Sequence, residues 1–207
     1  MVDTSPLLCD IRQYADTHST PVIDKYSWDY LEKILCRQQP KHVLEIWSAI
    51  GRSTLAIADL IKKWGGDLVS CEISYPSYQM ACWYQYMSKV YNYSIYFADY
   101  CKLSSEYFAR QLDFVFIDGQ KNEYLAYYMK LTTTQITVRN HKTQSYTNTS
   151  LLCDSYTLVF DDVIKFAKKV QPLIDYLNDA KIPHEIVQTT DDDGMLLVDC
   201  IQDFFDI

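Results

Sequence analysis

Glycine is scarce in this chain: five residues in 207, about a third of the usual share of roughly 7%. None of them builds a GxGxxG loop, which sets aside a nicotinamide-dependent dehydrogenase. No run of about 18 apolar residues occurs, so no membrane span is expected. The N-terminus, Met1 to Tyr14, lacks a basic segment followed by an apolar stretch, so it does not read as a signal peptide. The seven cysteines are odd in number and form no CxxC pair. They read as thiols of a reducing, cytoplasmic setting rather than as a disulfide framework or a zinc site. Basic residues are outnumbered, giving a net charge of −8, which argues against broad nucleic-acid binding. No internal repeat and no second domain is visible, and the length suits one domain, residues 1–207.

What is present is a regular alternation. Residues 5–16 and 27–38 read as two amphipathic helices that occupy the first 40 residues. Short apolar strands then alternate with helices: strands at Val43–Ile46, Leu68–Ile73, Ser94–Phe97, Phe114–Ile117 and Tyr156–Phe160. The intervening helices are expected at Ser53–Lys63, Pro76–Tyr91, Ser104–Gln111, Asn122–Leu131 and Val163–Asp179. That pattern implies right-handed crossovers and a mostly parallel, doubly wound α/β sheet. Glu185–Gln188 and Met195–Val198, joined by an Asp/Gly turn, read as an antiparallel hairpin at its edge. Thr132–Ser155, rich in Thr, Asn, Gln and Ser, reads as a long inserted loop.

Three stretches carry chemistry. In VLEIWSAIGRST (Val43–Thr54) a strand ends, a loop turns and a helix begins near Ser53. This aims backbone N–H groups at the place where open α/β sheets bind ligands. The next two strands end in acids, Glu72 and Asp99, and an acid at such a position can accept the hydroxyls of a ribose. LDFVFIDGQKNEY (Leu112–Tyr124) delivers Asp118 to the same edge, with Lys121 three residues on. TLVFDDVIKF (Thr157–Phe166) delivers Asp161 and Asp162. Three carboxylates on adjacent strand ends repel unless a cation neutralises them, and Mg²⁺ suits such oxygen ligands. Asp161-Asp162 also fits a helix cap.

The order of these motifs, from Pro21 to Val198 and including SCEIS, FAD and DDDGMLLV, resembles the catechol/caffeoyl-CoA-type O-methyltransferases and their bacterial relatives, among them tRNA wobble-uridine hydroxyl methyltransferases. The resemblance implies a Rossmann-like class I fold with a seven-stranded sheet, bound S-adenosylmethionine, a divalent metal and a homodimer. It implies Asp118, Asp161 and Asp162 as metal ligands, and Lys121, beside Asp118, as the catalytic base that deprotonates a hydroxyl acceptor. Glu45, Trp47, Gly51 and Ser53 would line the methionine side of the cofactor, Glu72 its ribose and Asp99 its adenine, with Asp118 also near the cofactor.

Two tryptophans depart from that family. Trp47 stands where it has a glycine, and Trp28 where it often has one. The family's glycine lets the backbone pass close to the cofactor. An indole there would fill the methionine subsite or turn outward. A UGA codon read as Trp here and as Gly in the native host is one origin; divergence is the other. The alternative function is therefore a non-catalytic protein of this fold with Trp47 blocking the cofactor. Residues 121–170 hold seven Lys/Arg against four acids, a local +3 that leaves −11 for the rest. With Arg139, His141 and Lys142 in the insertion, and Lys165, Lys168 and Lys169 after the Asp pair, this segment is expected beside the acceptor. It favours a nucleotide or tRNA acceptor over a small phenol.

Overall fold

The computed structural model describes residues 3–140 and 144–199. Helices α1 (Ser5–His18) and α2 (Lys25–Gln38) come first. The Asp24 carboxylate caps α2, accepting from the backbone N–H groups of Tyr26 and Ser27 at 2.7 and 3.1 Å. Alternation follows: β1 (His42–Ile46), α3 (Arg52–Ile61), β2 (Asp67–Glu72), α4 (Tyr75–Ser88), β3 (Tyr93–Phe97), β4 (Leu112–Ile117) and α5 (Tyr124–Thr133). The chain continues through β5 (Gln135–Asn140), β6 (Ser145–Ser150), β7 (Leu152–Phe160), α6 (Ala167–Asp179), β8 (His184–Gln188) and β9 (Gly194–Asp199).

Seven strands form one sheet in the order β3-β2-β1-β4-β7-β9-β8. The first five are parallel, and β9 runs antiparallel between β7 and β8. The central parallel strands β1 and β4 are buried on both sides, which is why they read as continuous apolar runs. Alternate residues serve two cores. Val43, Phe114, Phe116 and Val159 pack with α1 to α4. Leu44, Ile46, Val115, Ile117 and Leu158 pack with α5 and α6. Each fully buried side chain of this kind contributes about 1.5–3 kcal/mol. Among the described residues no helix is long and apolar enough to cross a membrane.

Three expected elements differ. Ser104–Gln111 is not a helix beyond one 3-10 turn, Ser105–Tyr107. The last long helix starts at Ala167 rather than Val163, because Asp162 adopts a left-handed φ of 58° and residues 163–166 form a turn. The largest difference is Thr132–Ser155. It is a two-stranded antiparallel sheet of β5 and β6, and β7 begins four residues earlier than expected. Polar side chains hide the strand pattern there. Thr137 Oγ1 donates across the ladder to Asn148 Oδ1 at 2.8 Å, a cross-strand pair that stabilises without apolar burial.

This hairpin lies at the amino ends of the strands. Gln111 Nε2, just before β4, donates to Ser150 O and Leu152 O, each at 3.1 Å. A cleft there is shared by His42 and Asp113, at the starts of β1 and β4, and by Val138 and Thr147 of the hairpin. The expectation that the insertion lies beside the acceptor is thus corrected: α5 carries the chain back along the sheet before the hairpin forms. Arg139 sits on this far edge, hydrogen-bonded to Gln144 Oε1. His141 and Lys142 lie outside the described residues.

Candidate active site

The strand order reverses between β1 and β4, with β2 and β3 on one side and β7, β9 and β8 on the other. Such a switch point opens a crevice beyond the carboxyl ends of the strands. The register aligns those ends: Ile46 with Cys71, Glu72 with Phe97, Ile46 with Ile117, and Ile117 with Phe160. Glu45, Glu72, Asp99, Asp118 and Asp161 therefore stand along one edge, as the motif spacing predicts.

Glu45 does not face that crevice. It is fully buried, and its carboxylate accepts from Ser53 Oγ at 2.5 Å, Thr54 Oγ1 at 2.5 Å and Ser70 Oγ at 2.7 Å. Burial pushes its carboxyl up to about 7 against the lowering effect of those hydroxyls. Ser53 is thereby turned toward Glu45, and both residues tie β1 to the first turn of α3. Glu72, also buried, accepts from Ala49 N at 2.8 Å and from Ser74 N at 2.6 Å, so it holds the loop after β1 against the end of β2. A carboxylate has about four lone-pair sites, which leaves capacity for a ligand. Asp99 accepts from Cys101 N at 2.9 Å and pairs with Lys102 Nζ at 3.1 Å.

The loop between β1 and α3 takes left-handed backbone at Trp47 (φ 76°), Ala49 (46°) and Gly51 (88°). Only the last is a glycine, and for a bulky residue such a φ is an outlier costing of order 1–3 kcal/mol. Trp47 N and Ser48 N both reach Cys71 O, at 2.9 and 3.2 Å, which holds the conformation in place. At Gly51 a Cβ would come within 3.0 Å of the Ala81 Cβ, so a glycine is required by close approach as well as by φ. The half-buried Trp47 indole lies across the switch point: a Cβ placed on Gly119 would meet Trp47 Cδ1 at 3.0 Å and Tyr127 Cε2 at 2.8 Å. The tryptophan thus keeps the backbone shape a glycine would have, and puts an aromatic wall where a glycine would leave space.

Lys121 is the centre of the acid cluster. Its Nζ lies 2.7 Å from Asp118 Oδ1 and 3.0 Å from Asp162 Oδ2, and its side chain is 10% exposed. Burial alone would lower its pKa, but the two carboxylates outweigh that and raise it above the ordinary lysine value. Burial raises Asp118 against the effect of Lys121. Asp161 is raised well above the usual range by burial and by Asp118 and Asp162. It accepts from Asp162 N at 3.0 Å.

Among the described residues no group of three or more Asp, Glu, His or Cys side chains is placed to hold an ion. Asp118 and Asp162 share the lysine ammonium, and one oxygen of the Asp161 carboxylate accepts from Asp162 N.

Three residues of the site were not singled out in the sequence. Asp193, in the turn before β9, is buried and accepts from Gly194 N at 2.7 Å. Burial and a hydrogen bond shared with Asp162 push its carboxyl up to about 6. Its only signal was the run Asp191–Asp193, which reads as a turn. Tyr124 places its hydroxyl 2.8 Å from Asp161 O, tying α5 to the end of β7. Lys130 donates to the carbonyls of Tyr100, Cys101 and Leu103 at 2.7, 2.9 and 2.7 Å, fixing the loop that follows Asp99.

Solved structures share the fold at low identity. One is the O-methyltransferase TomG of Streptomyces achromogenes, in complex with S-adenosylmethionine (16% identity, TM-score 0.74, covering 96% of this chain and 92% of that one). A second is the Bacillus cereus O-methyltransferase in complex with S-adenosylhomocysteine (16%, TM-score 0.73, 93% and 90%). A third is cofactor-bound Rv0187 from MTB (18%, TM-score 0.76, 94% and 89%). No curated protein matches at a significant level. The family described as O-methyltransferase matches residues 2–200. With that match over nearly its whole length, and the Rossmann-like methyltransferase fold described above, the chain belongs to the O-methyltransferase family.

Proposed function

We propose that this protein transfers the methyl group of S-adenosylmethionine to a hydroxyl oxygen bound in the switch-point crevice. The observation that carries the reading is the convergence at one sheet edge of the Val43–Thr54 loop, Glu72 and the Asp118–Lys121–Asp162 group, in a chain of this family. Glu72 would take the ribose hydroxyls with the lone pairs not used by Ala49 and Ser74. Asp99, held by Cys101 N and Lys102, would border the adenine, and Trp47, Gly51 and Ser53 the methionine end.

Methyl transfer needs the acceptor oxygen to lose its proton as it attacks the sulfonium methyl, and needs the two reactants aligned. In the arrangement described, Lys121 is held as a cation. It would stabilise negative charge developing on the acceptor oxygen. A base role for Lys121 requires its two carboxylates to be neutralised by another cation first. Dependence on a divalent ion is the finer form of this reading, and its support is that Asp118 and Asp162 already face one cation. The acceptor is an anionic nucleotide or tRNA hydroxyl in preference to a phenol. Its support is Lys165, Lys168 and Lys169 after the Asp pair. A homodimer in the cytoplasm completes the reading, and light scattering after size exclusion tests the dimer.

The second reading is a non-catalytic protein closed to the cofactor, favoured by the Trp47 indole lying against Gly119. Calorimetry with S-adenosylmethionine decides between them. Micromolar binding supports the enzyme; absence of binding by wild type, restored in Trp47→Gly, supports the closed protein. Melting curves with EDTA and with Mg²⁺ test the ion, since an ion that binds only the folded state raises Tm.

A further inference from the structure

An arginine pair stands beside the cofactor loop, and none of the roles above uses it. Arg12, on α1, and Arg52, the first residue of α3, both donate from Nη1 to one oxygen, Ile23 O, at 3.2 and 3.1 Å. Two guanidiniums drawn to one carbonyl repel each other, and a carbonyl cannot neutralise either. Arg12 has a partial counter-charge in Asp16, 3.3 Å from its Nε, on the solvent-exposed side of α1. Arg52 has no ion-pair partner among the described residues, and its Nε is buried without a hydrogen-bond partner. Burial first, and Arg12 second, push its pKa below the ordinary arginine value.

The two side chains line an open cavity of about 590 Å³ together with Gln13, Asp16 and Thr17. The start of α3 adds to the positive potential. Gly51 gives it no side-chain cap, and its first turn carries no acid. A buried donor left unmade costs about 1–3 kcal/mol, and a guanidinium fork matches two oxygens of one anion.

We propose that Arg12 and Arg52 bind a small anionic group with at least two acceptor oxygens, a carboxylate or a phosphate, in this cavity between α1 and the start of α3. Two molecules can supply that group. One is the methyl donor, through the carboxylate of its amino-acid end; this source rests on the proposed cofactor. The other is a separate anion, such as an acidic substituent of the acceptor, which does not.

The test compares wild type with Arg52→Gln and Arg12→Gln. Affinities are measured calorimetrically for S-adenosylmethionine and for its decarboxylated analogue, and Tm is measured against inorganic phosphate at constant ionic strength. Should Arg52→Gln fail to fold by circular dichroism, Arg12→Gln, whose side chain is partly exposed, carries the same comparison. If the donor supplies the carboxylate, each variant weakens S-adenosylmethionine binding at least tenfold and leaves the decarboxylated analogue within twofold. If the anion is separate, donor affinity is unchanged, and phosphate raises the Tm of wild type but not of either variant. That second result with no donor binding by wild type keeps the arginine site and removes the cofactor reading. The site is overturned if phosphate moves all three proteins alike and the variants bind both donors as wild type does, or lose both equally.

Discussion

The two edges of the sheet handle polarity in opposite ways. At the carboxyl edge Glu45, Glu72, Asp161 and Asp193 are buried, and Lys121 is sunk between two aspartates. At the amino edge the hairpin strands β5 and β6 carry Thr, Asn and Gln whose side chains stay in solvent and pair with one another. Burying a charge costs several kcal/mol unless it is paired and hydrogen-bonded. Stability alone does not favour such a cluster, whereas solvated amides and hydroxyls cost little. The carboxyl edge is therefore where the fold gives up stability for chemistry, and the amino edge is where it adds chain without altering the site.

The strongest way to break this contrast is Lys121→Met. It leaves Asp118 and Asp162 facing each other without a cation. The expected result is loss of methyl transfer by a factor of about a thousand or more and of about 2–3 kcal/mol in stability, less than a fully buried pair because Asp162 is about a third exposed. Retained activity with a normal urea midpoint would remove Lys121 from the site.

Glu45 gives the next largest effect. Its carboxyl stands near 7 in the folded chain against about 4.3 unfolded, so between those values the folded state binds more protons. Stability should be greatest near the unfolded value and fall as pH rises to about 7, by about 3 kcal/mol from this group. Asp193, pushed up to about 6, adds a fall of the same sign. Glu45→Gln should flatten the curve of Tm against pH over that window; an unchanged slope means Glu45 is ionised in the fold.

Trp47→Gly sharpens the contrast within the carboxyl edge. Relief of the left-handed φ, about 1–3 kcal/mol, is offset by lost packing against Gly119 and the core beneath it, so Tm should move by only a few degrees. Donor affinity should rise by at least tenfold if the indole occupies the methionine end. Equal affinities in the two proteins would place the ring outside the donor's path.

The smallest effect is expected at the other edge. Arg139→Glu should change methyl transfer less than twofold for any acceptor. Lys168→Glu with Lys169→Glu should weaken an anionic acceptor and spare a catechol. A large effect of Arg139→Glu would show that the hairpin reaches the site.

Local pattern alone determined the alternation of strands and helices, the edge on which Glu45, Glu72, Asp99, Asp118 and Asp161 stand, and the reversed last hairpin. In a parallel sheet each apolar run must be buried on both faces, and each crossover returns the next strand in the same direction, so motif order translates directly into position. Tertiary structure alone decided which carboxylates face the crevice. Glu45 turns to three hydroxyls of neighbouring elements, and Lys121 takes the place between Asp118 and Asp162; both outcomes depend on partners far apart in the chain. It also decided where the residue 132–155 insertion goes. Only Ile136 and Val138 of β5 turn to the core, and β6 is mostly exposed, so the apolar alternation is too short to announce two strands, and only the return of α5 along the sheet sets the hairpin on the amino edge. Finally, the Arg12–Arg52 pair joins residues 40 apart through the carbonyl of a third, a relation no spacing rule encodes.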